Sequence, residues 1–406
     1  MLNRRILRIK AMQTLYAFEQ SKNANFQVAQ DFIRDIFVPD LNSMQVQDRS
    51  AIEMDKNTAL SLFLHSYHHR SISESSHASP KIYQTVTLAI NQYHQSVEKD
   101  RKFLGKAMTA ETETLFDTYL SILSLLIELS EKAAIEKDRV LLSKAVKIMP
   151  EYKLATNQIT NFLRNNPEFQ DACKREGISW ELETDFLKDL YTNILKKDTV
   201  YQDYLKLPDA DFDQDKEIID HILRNIIFKR TPDAQTEEEA KNPPKPAFMQ
   251  HYFEHRDIYF AENHSVLKNM VLRTFKSILP QGNNDFKLVD ISPDWEIDKE
   301  FFRDLYYKTI NNTDEYDQII SQKAENWDTD RFALVDKIFI RMAITEMRYC
   351  DSIPVKVSIN EYVDLCKTYS TPKSKTFVNG MLNKIAEELT EKGEINKSAR
   401  GLMDNK

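Results

Sequence analysis

The chain has 406 residues, of which 41% are hydrophobic and 29% charged, and this suffices for two or three domains with packed cores. Its formal net charge of −8 excludes a globally basic nucleic-acid-binding protein, so any RNA binding must come from local basic patches. It contains 6 glycines, and because phosphate-binding loops and tight turns rely on glycine, this scarcity predicts an all-α fold and argues against a Rossmann or P-loop nucleotide site.

Cysteines and histidines give no sign of a metal site or a disulfide framework. Cys173, Cys350 and Cys366 are few, odd in number and widely spaced, as in a reducing cytosol. Histidines cluster between His65 and Pro80, in a polar stretch predicted to be a loop, and no cysteine lies near them. No apolar run reaches the roughly 18 residues of a membrane span. We therefore expect a cytoplasmic protein with no metal, no cofactor and no membrane contact.

The first predicted element is a helix from Met1 to Gln20. Its apolar residues recur at helical spacing: Leu7, Ala11, Leu15 and Phe18. The first turns carry Arg4, Arg5 and Arg8, although cations at a helix N-terminus oppose the helix dipole. A guanidinium group suits phosphate geometry, so the cluster favours a bound anion. The alternative is an ordinary solvated helix start.

A long central region follows, residues 21–293. It holds a predicted helix from Glu111 to Lys137 and an acidic, proline-rich segment, Thr231 to Pro246, predicted to be a linker or loop. The segment DFLKDLYTNILKKDTVYQDYL from Asp185 aligns with EFFRDLYYKTINNTDEYDQII from Glu300. Residues 180–280 are therefore either a degenerate copy of the C-terminal helices or a chance likeness between helices rich in Asp, Leu and Tyr.

Residues 294–390 are densely periodic and predict four helices. The first contains Phe301 and Leu305, and the second runs from Leu334 with Asp328 or Thr329 as its cap. The motif at 358–361, Ser-Ile-Asn-Glu, predicts a capping box that opens the third helix, and 371–372, Thr-Pro, predicts the start of the fourth. A polar tail, residues 391–406, is expected to fray.

The start of the fourth helix is a second candidate anion site. Lys373 and Lys375 lie where free backbone N–H groups can receive a phosphate, and Ser374 adds a hydroxyl. Phe377 either stacks on an unpaired base or belongs to the core. Gly380 costs helix stability, which suggests the close approach of another backbone or of a ligand.

These features resemble the NusB family of transcription antitermination factors. RRILRIKAMQTLYAFEQS from Arg4 resembles the arginine-rich first helix of that family, and FFRDLYYKTINN, IPVKVSINE and KTFVNGMLNKIA resemble its later helices in order. The resemblance implies a helical bundle of two subdomains, enlarged here by a mostly helical central insertion. It also implies a factor that binds single-stranded boxA-like RNA during ribosomal RNA transcription. Its partners would be the ribosomal protein NusE and the RNA polymerase elongation complex.

The resemblance also implies site residues. Those implied for RNA are Arg4, Arg5, Arg8, Tyr16, Lys373, Ser374 and Phe377. Asp330 and Asp336 match acidic positions that face the protein partner. Ile6 replaces a frequent basic residue and Lys373 replaces a common acidic one, so the first change should weaken and the second strengthen RNA contact.

The helix from Leu334 carries further charged residues. Lys337, Arg341 and Arg348 form a basic stripe that we interpret as a solvated face. Glu346 falls within the apolar face by its spacing, which predicts a buried, hydrogen-bonding carboxylate rather than a catalytic acid.

Two other functions remain open. One is a protein-interaction scaffold that has lost RNA binding, which the overall acidity permits. The other is a helical domain related to those at the front of some RNA cytosine methyltransferases. Those enzymes continue into a catalytic domain with a glycine-rich cofactor loop, and no such loop occurs here. No isolated carboxylate pair suggests acid–base catalysis, so we expect a protein that is not an enzyme.

Overall fold

The computed structural model describes residues 1–42, 44, 46–69, 72, 78–143, 153–207, 209–231, 245–280, 286–323, 333–398 and 401–402, and only the backbone of 139–143. All regular structure in these residues is helical, which confirms the predicted all-α class. The α-helices are α1 Arg4–Ile36, α2 Arg49–Ser66, α3 Pro80–Ser143, α4 Gln158–Arg164, α5 Pro167–Glu176, α6 Thr184–Asp189, α7 Thr199–Leu205, α8 Phe212–Ile222, α9 Phe248–Glu254, α10 Phe260–Ser277, α11 Trp295–Asn311, α12 Thr313–Lys323, α13 Leu334–Tyr349, α14 Val355–Tyr369 and α15 Ser374–Glu391.

The chain divides into two compact units. We name the two units by their order in the chain. The outer unit comprises residues 3–110 and 296–406, and the central unit comprises 1–2 and 111–295. The long helix α3 contributes residues to both units, and the predicted helix from Glu111 to Lys137 is its second half. The predicted central region, 21–293, therefore falls in both units, because residues 21–110 belong to the outer one.

Helix α1 is longer than predicted. It continues past Gln20 to Ile36 because no glycine or proline interrupts it and the apolar face resumes with Ala29 and Ile33. These two residues pack with Phe37 against α2 and the start of α3, through Phe63 and Val86 among others. Burial of this apolar surface is what holds the three segments together.

The predicted loop from His65 to Pro80 is wrong at its start. His65 lies in the last turn of α2, where its Nδ1 is 2.7 Å from the backbone oxygen of Ser61. Residues 70, 71 and 73–77 of this stretch lie outside the described residues, as do residues 232–244 of the predicted proline-rich linker.

The central unit is built from short helices and the second half of α3. Helices α6 and α8 continue into single π-helical turns, Leu190–Ile194 and Leu223–Ile227. Asp215 is buried and accepts hydrogen bonds from the Tyr204 hydroxyl at 2.6 Å and the Gln158 backbone N–H at 2.9 Å. The predicted repeat would align α6 and α7 with α11 and α12, and it stays a prediction.

In the outer unit, α13, α14 and α15 pack on one another, and α1 packs on α13. Helix α13 is buried on nearly every side from Ile338 to Met347, which explains its apolar composition. The predicted helix starts are wrong. Helix α13 follows Ala333 at its N-cap, whereas Asp328 and Thr329 lie outside the described residues.

The other two predicted starts also differ from the structure. Helix α14 begins at Val355, after Pro354, so Ser358 lies one turn inside it and is buried. Helix α15 begins at Ser374 with Lys373 at the N-cap, two residues later than predicted.

The C-terminal tail is tethered rather than frayed as far as Ser398. The Nζ atom of Lys397 donates to the backbone oxygens of Glu346 and Cys350, at 3.3 and 2.8 Å. The backbone N–H of Ser398 donates to the Asp351 oxygen at 3.0 Å. These bonds add to the backbone hydrogen bonds that the Glu346 and Cys350 oxygens accept from the N–H groups of Cys350 and Ile353.

No helix within the described ranges has the length and apolar composition needed to cross a lipid bilayer. Among these residues, no group of three or more His, Cys, Asp or Glu side chains is placed to hold a metal ion.

Candidate nucleic-acid interface

The N-terminal arginines are positioned by the first turn of α1, which Asn3 caps by accepting a hydrogen bond from the Ile6 N–H at 3.0 Å. Arg8 points inward and is 3% exposed. Its Nε and Nη2 atoms donate to the two carboxylate oxygens of Glu346, at 2.8 and 2.7 Å. This bidentate geometry is the strongest form of arginine–carboxylate pairing.

Glu346 is fully buried and accepts two further hydrogen bonds from α14. The Ser358 hydroxyl donates at 2.8 Å and the Tyr362 hydroxyl at 3.0 Å. The predicted buried, hydrogen-bonding carboxylate is thus confirmed. It joins α1, α13 and α14, because each of the three helices supplies one end of these bonds.

The charges of this cluster stabilise one another. Burial opposes the charged form of Arg8, but the hydrogen bonds and negative charge of Glu346 outweigh it and raise the pKa of the guanidinium above its ordinary value. Burial, followed by the charge of Glu346, raises the pKa of Tyr362 well above its ordinary value. Arg8 is therefore a charged structural residue, and its burial leaves little surface for a direct RNA contact.

Arg4 and Arg5 are more accessible than Arg8. The Arg4 guanidinium lies 5.1 Å from the ring centre of Phe301, and its Nε is 3.4 Å from Asp298. Among the described residues Arg5 pairs with Glu361, at 3.5 Å, and 41% of its side chain is exposed. Ion pairs this long and this exposed contribute little to stability, so a phosphate can compete for both arginines.

At the start of α15, the cations are exposed and the other predicted site residues are buried. Lys373 and Lys375 face solvent. Ser374 is 5% exposed and donates its hydroxyl proton to Asp336 at 2.6 Å, and Phe377 is 6% exposed. The core interpretation of Phe377 therefore holds, and burial does not favour base stacking on its ring.

The positive charges of both basic clusters act on the carboxylate of Asp364. The hydrogen bond from Lys367, and then the positive charges of Lys367, Arg5 and Lys375, lower the pKa of Asp364 on α14. Helices α1, α14 and α15 thus place cations around the same residue. We call the half-buried Arg4 and Arg5 and the exposed Lys367, Lys373 and Lys375 the basic ledge. Sequence reasoning missed Lys367, although its spacing of three from Asp364 on one helix was visible.

The remaining predicted residues have mixed positions. Tyr16 is 40% exposed on α1. Asp336 is 4% exposed and holds Ser374, so its carboxylate is not available on the surface for a protein partner. Asp330 lies outside the described residues.

The interpretation of the basic stripe on α13 as a solvated face is wrong for Arg341 and Arg348. Arg341 is 7% exposed and pairs with Asp317 at 2.7 Å and Glu19 at 2.9 Å. Arg348 pairs with Glu315 at 2.7 Å and also with Glu394. These arginines link α13 to neighbouring segments of the outer unit because their partners lie on α1, α12 and the tail.

Part of this chain is similar to known proteins. The NusB family model matches residues 265–387. The chain is 40% identical over 91 residues to transcription antitermination protein NusB of Bacillus pumilus, which covers 22% of this chain and 70% of that protein. The chain belongs to the NusB family.

Other NusB proteins give similar values. The identity is 39% to the protein of Chloroherpeton thalassium, covering 35% of this chain, and 40% to that of Salinibacter ruber, covering 26%. The chain spans 63% and 66% of the length of these two relatives. A solved structure of T. maritima NusB is 27% identical, covers 36% of this chain and 86% of that chain, and superimposes with a TM-score of 0.24.

The extent of the NusB match locates what is additional in this chain. The family model begins at residue 265, within α10, which is earlier than the predicted boundary at 294. It includes Asp364, Lys373 and Lys375 but not the N-terminal arginines. Residues 21–264 lie outside the family-model match.

Proposed function

We propose that this NusB-family protein is a transcription antitermination factor that binds single-stranded boxA-like RNA. It would act together with the ribosomal protein NusE at the RNA polymerase elongation complex. Its relatives carry the name transcription antitermination protein NusB. The observation that carries the proposal is that Arg5 contacts Glu361 on α14 at 3.5 Å while α15, which carries Lys375, packs against the same helix, so that cations from distant parts of the chain lie beside α14.

Each side chain has a distinct part in this proposal. Arg4, Arg5, Lys373 and Lys375 contact phosphates, which fixes the register of the RNA on the ledge. Arg8 positions α1 against α13 and α14 without touching the RNA.

Tyr16 is exposed and offers an aromatic face to an unstacked base. Phe377 and Ser374 support the start of α15 from beneath, and Asp336 holds that start in place. These assignments keep the predicted RNA surface but divide it into contacting and supporting residues.

The test is fluorescence anisotropy with a boxA-like RNA and a scrambled RNA of the same length. If Arg4, Arg5, Lys373 and Lys375 each neutralise one phosphate, log K should fall with log salt at a slope of about −3 for a single strand. The triple variant Arg5→Gln, Lys373→Gln, Lys375→Gln leaves only the Arg4 contact and should reduce this slope to about −0.7. The matched control is Arg34→Gln, which changes an exposed arginine near the other end of α1 and should leave the slope unchanged.

The protein partner provides the second arm of the test. Adding NusE should tighten binding of the boxA-like RNA, and thermodynamic linkage requires RNA to tighten NusE binding by the same factor. If neither the unchanged protein nor the triple variant prefers the boxA-like RNA to the scrambled RNA, while NusE binding persists, the protein is instead the scaffold without RNA binding.

A further inference from the structure

The central unit contains a cavity that the RNA surface does not use. Its volume is about 550 Å³, within the range of natural ligand sites. It lies between α3, the segment before α6 and the segment between α9 and α10. The residues that matter for its chemistry are Asp117, Trp180, Glu183, Tyr252, Arg256 and Asp257. All six precede residue 265, where the NusB family match begins.

Stacked aromatic rings form one wall of this cavity. The ring centres of Trp180 and Tyr252 lie 5.6 Å apart, and Phe186 stacks on Tyr252 at 3.7 Å. The Trp180 ring is 4% exposed, and its Nε1 donates to the Ser121 backbone oxygen at 3.2 Å. These contacts make the wall rigid, so a ligand would meet a preformed surface and lose less entropy on ordering it.

The cavity carries excess negative charge. Arg256 is already engaged, because it lies 3.9 Å from the Tyr252 ring centre and donates to Glu183 at 2.6 Å. Asp257 accepts a hydrogen bond from the Tyr259 backbone N–H at 2.8 Å. Neither Asp117 nor Asp257 forms an ion pair within the described part of the chain. A cationic group entering the cavity would find two carboxylates to bind.

The surroundings of Asp117 disfavour the negative charge of its carboxylate. Burial, followed by the negative charges of Glu176 and Glu113, raises its pKa. Its ionised form is therefore disfavoured in the empty cavity, and a cation would relieve both causes at once.

Two exposed apolar side chains belong to the segments that line the cavity. Ile258 is a lining residue and is 82% exposed, and Leu182, which lies between the lining residues Trp180 and Glu183 in the chain, is 99% exposed. Large apolar side chains this exposed beside a concave, charged site are typical of protein interaction surfaces. A small inorganic cation would leave both of them in water.

We propose that this cavity docks a basic segment of a partner polypeptide. An arginine or lysine side chain enters between Asp117 and Asp257, and the neighbouring apolar side chains cover Leu182 and Ile258. Charge complementarity decides the occupant, because the lining is acidic and its arginine is already paired. The partner thus has cationic side chains alternating with apolar ones.

The test uses the full-length protein and a fluorescein-labelled hexapeptide of alternating arginine and leucine. Asp117→Asn and Asp257→Asn, which keep shape and remove charge, should each weaken binding about fivefold, and the double variant about twentyfold. Leu182→Ser with Ile258→Ser should also weaken it, by about tenfold. The control Asp203→Asn makes the same change at an exposed residue of the central unit outside the cavity, and it should have no effect.

Further arms decide against the other occupants. A hexapeptide of alternating arginine and glycine should bind more weakly than the arginine–leucine peptide, and spermidine should fail to displace the latter at equal concentration. Equal affinity of the double aspartate variant and the unchanged protein would overturn the proposal, as would displacement by spermidine. A circular dichroism spectrum and melting curve for each variant ensure that lost binding is not lost folding.

Discussion

The ion pair between Arg8 and Glu346 yields the sharpest prediction for this fold. Replacing Arg8 with methionine keeps the apolar stem but removes two of the four hydrogen bonds that the Glu346 carboxylate accepts from described residues. Because Glu346 is fully buried, the variant leaves a charged carboxylate with only two hydroxyl donors. Breaking such a buried pair from one side typically costs about 3–5 kcal/mol of unfolding free energy.

A matched control separates burial from residue type. Arg34→Met makes the same change on the same helix, but the pair of Arg34 with Asp31 is exposed. Its loss should cost less than about 0.5 kcal/mol. Native-state hydrogen exchange at the amides of α13 measures both values directly, and it avoids assuming that the two units unfold in one step.

The second side of the cycle is Glu346→Gln, which removes the charge and can still accept bonds from the α14 hydroxyls. The double variant with Arg8→Met buries no unpaired charge. It should therefore be more stable than the sum of the single effects implies, by about 2 kcal/mol. Additive effects, or a loss below about 1 kcal/mol for Arg8→Met, would refute the structural role that we assign to this arginine.

Three further predictions concern single residues. Gly105→Ala should destabilise the protein by about 1–3 kcal/mol, because the new Cβ would lie 2.3 Å from the hydroxyl oxygen of Tyr307. Gly380→Ala should stabilise it by up to about 1 kcal/mol, because a Cβ there would meet no atom of the described neighbouring segments within 4 Å. Thermal melts of the two variants should shift in opposite directions. Hydrogen bonds from Lys323 on α12 and Lys392 after α15 lower the pKa of Glu388 from 4.5 to about 2. The contribution of Glu388 to stability is therefore present above pH 4.5 and is lost as the pH falls toward 2. In urea unfolding, Glu388→Gln should be less stable than the unchanged protein at pH 5, and the difference should vanish near pH 2. Burial raises the thiol pKa to about 11 for Cys173 and to about 12 for Cys350 and Cys366. At pH 8 a disulfide reagent should therefore modify the folded protein more than about tenfold slower than it modifies free cysteine. A rapidly reacting thiol would contradict the burial.

The Gly380 prediction also corrects an interpretation of the sequence. A helical glycine suggested the close approach of another backbone or of a ligand, and no other described backbone lies near that position. If Gly380→Ala weakens RNA binding while it stabilises the fold, the space belongs to the RNA.

Much of the fold follows from local properties of the sequence. The scarcity of glycine and the 3.6-residue periodicity predict helices throughout, and the phase of α13 alone places Glu346 among buried residues. The phase of α1 carried a similar signal that sequence reasoning missed. Arg8 shares a face with Ala11, Met12 and Leu15, all of which are buried, so its inward direction was visible.

Tertiary structure alone decided which partners these side chains meet. Glu346 lies 338 residues from Arg8, and no local pattern pairs them. Ser358 has the spacing of a helix cap, yet it lies inside α14, where its hydroxyl donates to the buried Glu346 carboxylate. A buried carboxylate without donors would be costly, so this bond stabilises the fold. Distant charges compete for partners once burial removes water, so the roles of ionisable residues depend on the folded neighbourhood rather than on the sequence around them.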